Sequence, residues 1–190
     1  MIFKYTFTLF CIVLGILFTL KLMSNETSYY IKLVDRITNE LIQEMEKDGF
    51  FVKSYGGAMM NDVEEIILGF NSNKTPSVDE ARVMYVSGIE KLLTQVNQNK
   101  EIRPYLHNYP FNVNNLAYRI GFKKIPMDST GVAPIAFVFY TRNKIYYCMY
   151  DPAFKDTNPL QTVYKEPYEE ALKIVRDSGA LESIVHPKRP

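Results

Sequence analysis

Thr75 to Val96 reads TPSVDEARVMYVSGIEKLLTQV, and it is the stretch on which the fold turns. Ser77 followed by Glu80 is a capping box, with Pro76 beside it at the helix entrance. Val78, Ala81, Met84, Tyr85, Ile89, Leu92, Leu93 and Val96 then hold one apolar face at helical spacing. Asn97 to Asn99 ends the pattern. A long amphipathic helix must bury that face, and the segments on either side change to a two-residue period. They supply the sheet it packs on.

Upstream, Val63 to Phe70 predicts a strand with Ile66, Leu68 and Phe70 on one face. Phe50 to Val52 predicts its partner, and Gly56-Gly57 reads as the turn between them. Before these, Tyr30, Leu33, Val34, Ile37, Leu41 and Met45 recur at three- and four-residue steps and end near Asp48-Gly49, a second amphipathic helix.

Downstream, Leu116, Tyr118, Ile120 and Phe122 alternate with Ala117, Arg119, Gly121 and Lys123, the mark of a half-buried strand. Ile135 to Tyr140 is apolar on both faces and predicts a central strand. The turn Thr141-Arg142-Asn143-Lys144 leads into a hairpin partner, Ile145 to Tyr150. Breaks at Asp151-Pro152 and Asn158-Pro159 precede a last helix from Pro167 through Tyr168, Ala171, Leu172 and Val175, stopped by Gly179. The expected class is α+β, an antiparallel sheet of about five strands in the order αββαβββα, with helices mainly on one face.

The chain has 190 residues, 47% of them hydrophobic and 23% charged, values of a folded chain and not a disordered one. Residues 24–182 are expected to form one α+β domain and residues 183–190 a frayed tail. The formal charge is +1 from 22 basic and 21 acidic residues. Leaving out Lys4 and Lys21 makes the folded part close to −1, which argues against nucleic-acid binding, where affinity comes mainly from neutralised phosphates. The aromatic strand Ile135 to Tyr140 lacks the basic-glycine opening of RNA-recognition modules, and the element order differs from theirs.

The N-terminus belongs to another solvent. Tyr5 to Leu20 is YTFTLFCIVLGILFTL, sixteen residues without a charge between Lys4 and Lys21. Residues 1–23 therefore read as a membrane anchor or a signal segment, with residues 5–20 in the membrane. Leu22 and Met23 before Ser24 do not make a small-x-small cleavage site, which favours the retained anchor. The signal-like start places the domain outside the cytoplasm, or secreted if the leader is cleaved.

Few residues suggest chemistry. Cys148 is the only thiol after the leader, and His107 and His186 are the only imidazoles. A cysteine hydrolase could be assembled from Cys148, His107 and an acceptor such as Asp151 or Asn108. However, Cys148 sits in mid-strand among Tyr146, Tyr147 and Met149, where a sulfur ordinarily packs. No acidic pair stands at ligand spacing around either histidine, so no metal, cofactor or catalytic residue is expected. Glu64-Glu65 falls at the start of a strand, and Glu169-Glu170 in the first turn of a helix, where acids complement the dipole.

The most unusual stretch is Glu101 to Phe111, EIRPYLHNYPF. Pro104 and Pro110 stiffen it, and it presents Arg103, Tyr105, His107, Tyr109 and Phe111 directly after the long helix. It reads either as a crossover covering the core or as a recognition loop, since tyrosine and arginine supply binding energy efficiently. This run, together with GFNSNKTPSVDEARVMYVSGIEKLL before it and YKEPYEEALKIV after it, resembles a family of uncharacterised small bacterial proteins. Those proteins carry an N-terminal apolar segment and an IRPYL-x-x-YPF core. The resemblance implies an exported or anchored bacterial protein and carries no activity with it. The expected function is thus a non-enzymatic domain that binds a protein partner through the Tyr105–Phe111 loop. A cysteine-dependent envelope or host-directed enzyme and a structural envelope subunit are the alternatives.

Overall fold

The computed structural model describes residues 29–123, 134–151 and 160–181. The leader and the C-terminal tail lie outside these residues, and no described helix is long and apolar enough to cross a membrane.

Helix α1 covers residues 29–47, and its sequence stripe Tyr30, Leu33, Val34, Ile37, Leu41 and Met45 is buried. Gly49, at φ +79°, turns the chain into β1 (Phe50–Ala58). This strand pairs antiparallel with β2 (Glu65–Ser72), from Phe50 opposite Ser72 to Ala58 opposite Glu65. Gly56 and Gly57 are therefore not the turn but part of the strand, facing Ile67 and Ile66. A Cβ on Gly57 would lie 2.2 Å from the Glu65 carbonyl oxygen, so this glycine serves close backbone approach. The reversal falls over residues 59–64 instead.

Helix α2 (Val78–Gln98) forms as its pattern predicts, with both halves of the Ser77–Glu80 capping box made. At about 1.5 Å per residue it runs roughly 30 Å, enough to carry the chain back along the sheet. Strand β3 (Leu116–Gly121) consequently lies parallel to β2, in register from Ile66 opposite Leu116 to Asn71 opposite Gly121. The remaining pairs are antiparallel: β3 with β4 (Ile135–Thr141), β4 with β5 (Lys144–Tyr150), and β5 with β6 (Leu160–Pro167). Arg142 and Asn143 make the β4–β5 turn at φ +50° and +62°, the mirror-image geometry a two-residue hairpin requires.

The sheet has six strands in the order β1-β2-β3-β4-β5-β6, one more than expected and with one parallel pair. The extra strand is β6, an edge strand whose residues from Gln161 to Lys165 are exposed. An edge strand with little burial lacks the apolar alternation that reveals the inner strands. Helix α3 (Tyr168–Asp177) follows, with Gly179 at φ +74° beyond its end.

Apolar residues of α1, α2 and α3 join those of the strands in one core cluster, including Leu68, Phe70, Tyr85, Tyr118, Val138 and Tyr147. A polar contact fastens β6 to this core. Glu166, 3% exposed, accepts from Arg82 Nε at 2.7 Å and from the Tyr147 hydroxyl at 2.6 Å. Arg82 also pairs with Asp79. With both charges and the hydroxyl satisfied, the buried ion pair fixes the position of β6 on α2; an unpaired partner would be strongly destabilising.

Candidate functional site

The segment after α2 is held at several points along its length. Asn99 Oδ1 accepts from the amides of Glu101 and Ile102 at 2.9 and 3.2 Å, and Ile102 is fully buried. A single 3-10 turn follows at Arg103–Tyr105, with Pro104 inside it. Next, Leu106 forms a parallel bridge with Val63. Val63 N–H donates to the Tyr105 carbonyl at 2.7 Å, and His107 N–H donates to the Val63 carbonyl at 3.1 Å. Finally, the Asn97 side chain clasps Phe111 by both backbone groups, each at 2.8 Å. The loop is tied to its neighbours by backbone bonds at its centre and by an asparagine at its end.

The five loop residues singled out from the sequence separate into three environments. Phe111 is 2% exposed and belongs to the core, so it anchors the loop. Tyr105 is half-buried against the start of α1, with its ring 5.3 Å from Tyr30 and 6.1 Å from Tyr29. Tyr30 is itself fixed, its hydroxyl 3.1 Å from the Met59 carbonyl and 3.2 Å from that of Met60. Arg103, His107 and Tyr109 are exposed. The Arg103 guanidinium stacks 4.4 Å from the centre of the Tyr109 ring and donates to the Asn97 carbonyl at 3.3 Å. Among the described residues it has no carboxylate partner.

His107 sits in a different constellation, which the sequence did not disclose. Its Nδ1 lies 2.9 Å from Asp62 Oδ2. Asp62 and Glu64 flank the buried Val63, and both acids reach the same imidazole. Ligand-type atoms of Asp62, Glu64 and His107 all lie within 4.8 Å of one another. The other oxygen of Asp62, Oδ1, is buried with no hydrogen-bond partner among the described residues. The hydrogen bond His107 donates to the Asp62 carboxylate, reinforced by the charges of Asp62 and Glu64, raises the imidazole pKa above its ordinary value. Spacing could not find this set, because the acids and the histidine meet only through the Val63–Leu106 bridge. The one local clue is the Asp62-x-Glu64 alternation just before a strand.

Cys148 is 4% exposed, and its sulfur lies 3.5 Å from Thr162 Oγ1. Burial pushes its thiol pKa up, against the thiolate a nucleophile needs. Its partner is Thr162 and that of His107 is Asp62, so the two are in separate settings. Glu64 and Glu65 also diverge: Glu64 joins the histidine cluster, while Glu65 opens β2 opposite Ala58.

A second exposed feature lies on β4 and β5. Phe137, Phe139 and Tyr146 are partly exposed, with Phe139 stacked on Tyr146 at 5.2 Å and 11°. Comparison of the chain with protein-family models, curated proteins and solved structures returns no match in any of the three.

Proposed function

We propose that this protein is a non-enzymatic binding domain of the bacterial cell envelope, held at the membrane by residues 5–20 or exported. Its recognition surface is the exposed ridge Arg103–Tyr109. The observation that carries the reading is the Arg103–Tyr109 stack. Arg103 is the planar, always charged donor best suited to carboxylates, and here it is oriented by an aromatic face and by the Asn97 carbonyl. No carboxylate in the described residues neutralises it. Groups held in place before binding lose little entropy on binding, which makes such a ridge effective in recognition. The partner that fits is a protein segment presenting a carboxylate beside an apolar side chain that can lie along Tyr109.

The reading also takes support from the sequence: an apolar leader is joined to a domain without a catalytic constellation, and the chain resembles small bacterial proteins with such leaders. A photoreactive residue at Asn108, in the native membrane, tests it. Crosslinking to a discrete protein is expected, lost in Arg103→Glu, diminished in Tyr109→Ala and partly kept in Arg103→Lys. An Arg103→Glu protein that stays folded and gives the same crosslinks removes the ridge from recognition.

A further inference from the structure

We propose that Asp62, Glu64 and His107 bind a divalent transition-metal ion of the zinc and manganese class. The three side chains offer one imidazole nitrogen and two carboxylates, with their ligand-type atoms within 4.8 Å. Ligands about 2.0–2.2 Å from a shared tetrahedral ion lie roughly 3.3–3.6 Å apart, so a separation near the 4.8 Å limit would close by about an ångström while the 2.9 Å His107–Asp62 contact opens by a few tenths. The side chains can supply that movement, since Glu64 and His107 are exposed while the backbone beneath them is held. Val63 donates to Tyr105 and accepts from His107, which keeps the two ligand-bearing segments side by side.

The orphaned oxygen points the same way. Although the Asp62 side chain is 34% exposed, its Oδ1 atom is buried with no partner among the described residues, and an oxygen desolvated in that fashion costs free energy that a cation would recover. His107 turns Nδ1 toward Asp62, and an ion entering between them would take the place of that hydrogen bond. The donor set selects the metal class. Calcium and magnesium are held by oxygen ligands, whereas an imidazole beside carboxylates suits zinc or manganese. Three protein ligands leave a coordination position open, to water or to a carboxylate from outside. Occupied, the site would join the 59–64 turn to the loop after α2 through side chains as well as backbone.

The test uses the full chain in detergent, stripped of metal, titrated calorimetrically with zinc, manganese, magnesium and calcium chlorides. Zinc is expected to bind one to one and more tightly than magnesium or calcium. Asp62→Asn, Glu64→Gln and His107→Ala should each weaken it at least tenfold, and His186→Ala, which removes the other imidazole, should not. At a hundredfold excess over its dissociation constant, zinc should raise the unfolding midpoint by about 5–10 °C. Three results would overturn the proposal: zinc binding no tighter than about millimolar, binding that survives the three ligand substitutions, or magnesium bound as tightly as zinc. The site shares His107 with the recognition ridge but uses neither Arg103 nor Tyr109, so the two readings are tested separately. Zinc binding without crosslinking at Asn108 would sink only the ridge, and crosslinking without zinc binding only the metal site.

Discussion

Alanine is ordinarily a better helix residue than glycine, yet Gly88→Ala in the middle of α2 should destabilise this protein. On propensity alone the substitution would gain about 1 kcal/mol. A Cβ at position 88, however, would stand 2.1 Å from the Tyr118 hydroxyl oxygen and 2.8 Å from its Cζ. Tyr118 is 2% exposed, and its ring is walled by Tyr85 at 5.4 Å and Phe70 at 5.9 Å, so it has no open side to move to. Overpacking of this kind costs about 1–3 kcal/mol, and a contact this short belongs at the upper end. The two effects leave a net loss of about 2 kcal/mol, or roughly 4–8 °C in the unfolding midpoint for a chain of this size. A second substitution identifies the cause. The Tyr118 hydroxyl is buried with no partner among the described residues, so Tyr118→Phe should be neutral or stabilise by about 1 kcal/mol. In that background Gly88→Ala should cost about 1 kcal/mol less, because the nearer of the two clashing atoms is gone while Cζ remains. Urea unfolding of the four proteins, followed by circular dichroism, gives the coupling. The reasoning fails if Gly88→Ala is more stable than the parent, or if its cost is the same with phenylalanine at 118.

Two further outcomes follow from the titratable groups. In native protein Cys148 should react with a soluble maleimide about a hundredfold more slowly than in urea, by site-resolved mass spectrometry, because its thiol is buried and its pKa raised. Native reaction within a few-fold of the unfolded rate would restore it as a candidate nucleophile. In metal-free protein the His107 imidazole should titrate above its ordinary value of about 6.5 by NMR, and Asp62→Asn should bring it back. Since the folded pKa is the higher one, the Asp62 contact stabilises fully below about pH 6.5 and is lost as pH rises through the folded value. A midpoint at or below 6.5 in the parent protein contradicts the contact.

What the sequence disclosed is what local physics decides. The Ser77–Glu80 box, the apolar stripes of α1 and α2, and the Arg142-Asn143 turn each depend on neighbours within a few residues, and each is found where expected. Pairings between distant segments were another matter. Strand β3 beside β2 in parallel depends on where a 21-residue helix returns the chain, which no local pattern states. Strand β6 stayed hidden because it is an edge, with Val163 and Tyr164 exposed and only Glu166 fully buried. Gly56-Gly57 carried the composition of a turn, but both lie in the strand, and Gly57 answers a need for close strand approach. Within the loop, two prolines marked a stiff connection, but periodicity could not say that Phe111 turns inward while Tyr109 turns outward. The acid–histidine cluster has its members on two segments joined by one bridge, so it emerges only in three dimensions.

The ring contact between Tyr29 and Tyr105 has a consequence for reach. It places the Arg103–Tyr109 ridge beside the residue where the described chain begins, eight positions after Lys21 closes the apolar run. Eight residues span at most about 28 Å when fully stretched, whatever their conformation. In the anchored form proposed above, the ridge is therefore leashed within about three nanometres of the bilayer surface. A partner rooted in the same membrane would meet it at an effective concentration on the order of millimolar, so that even a weak bond would be occupied much of the time. A partner beyond the leash would not be engaged however well it fitted, and a cleaved leader would exchange that local density for unrestricted range.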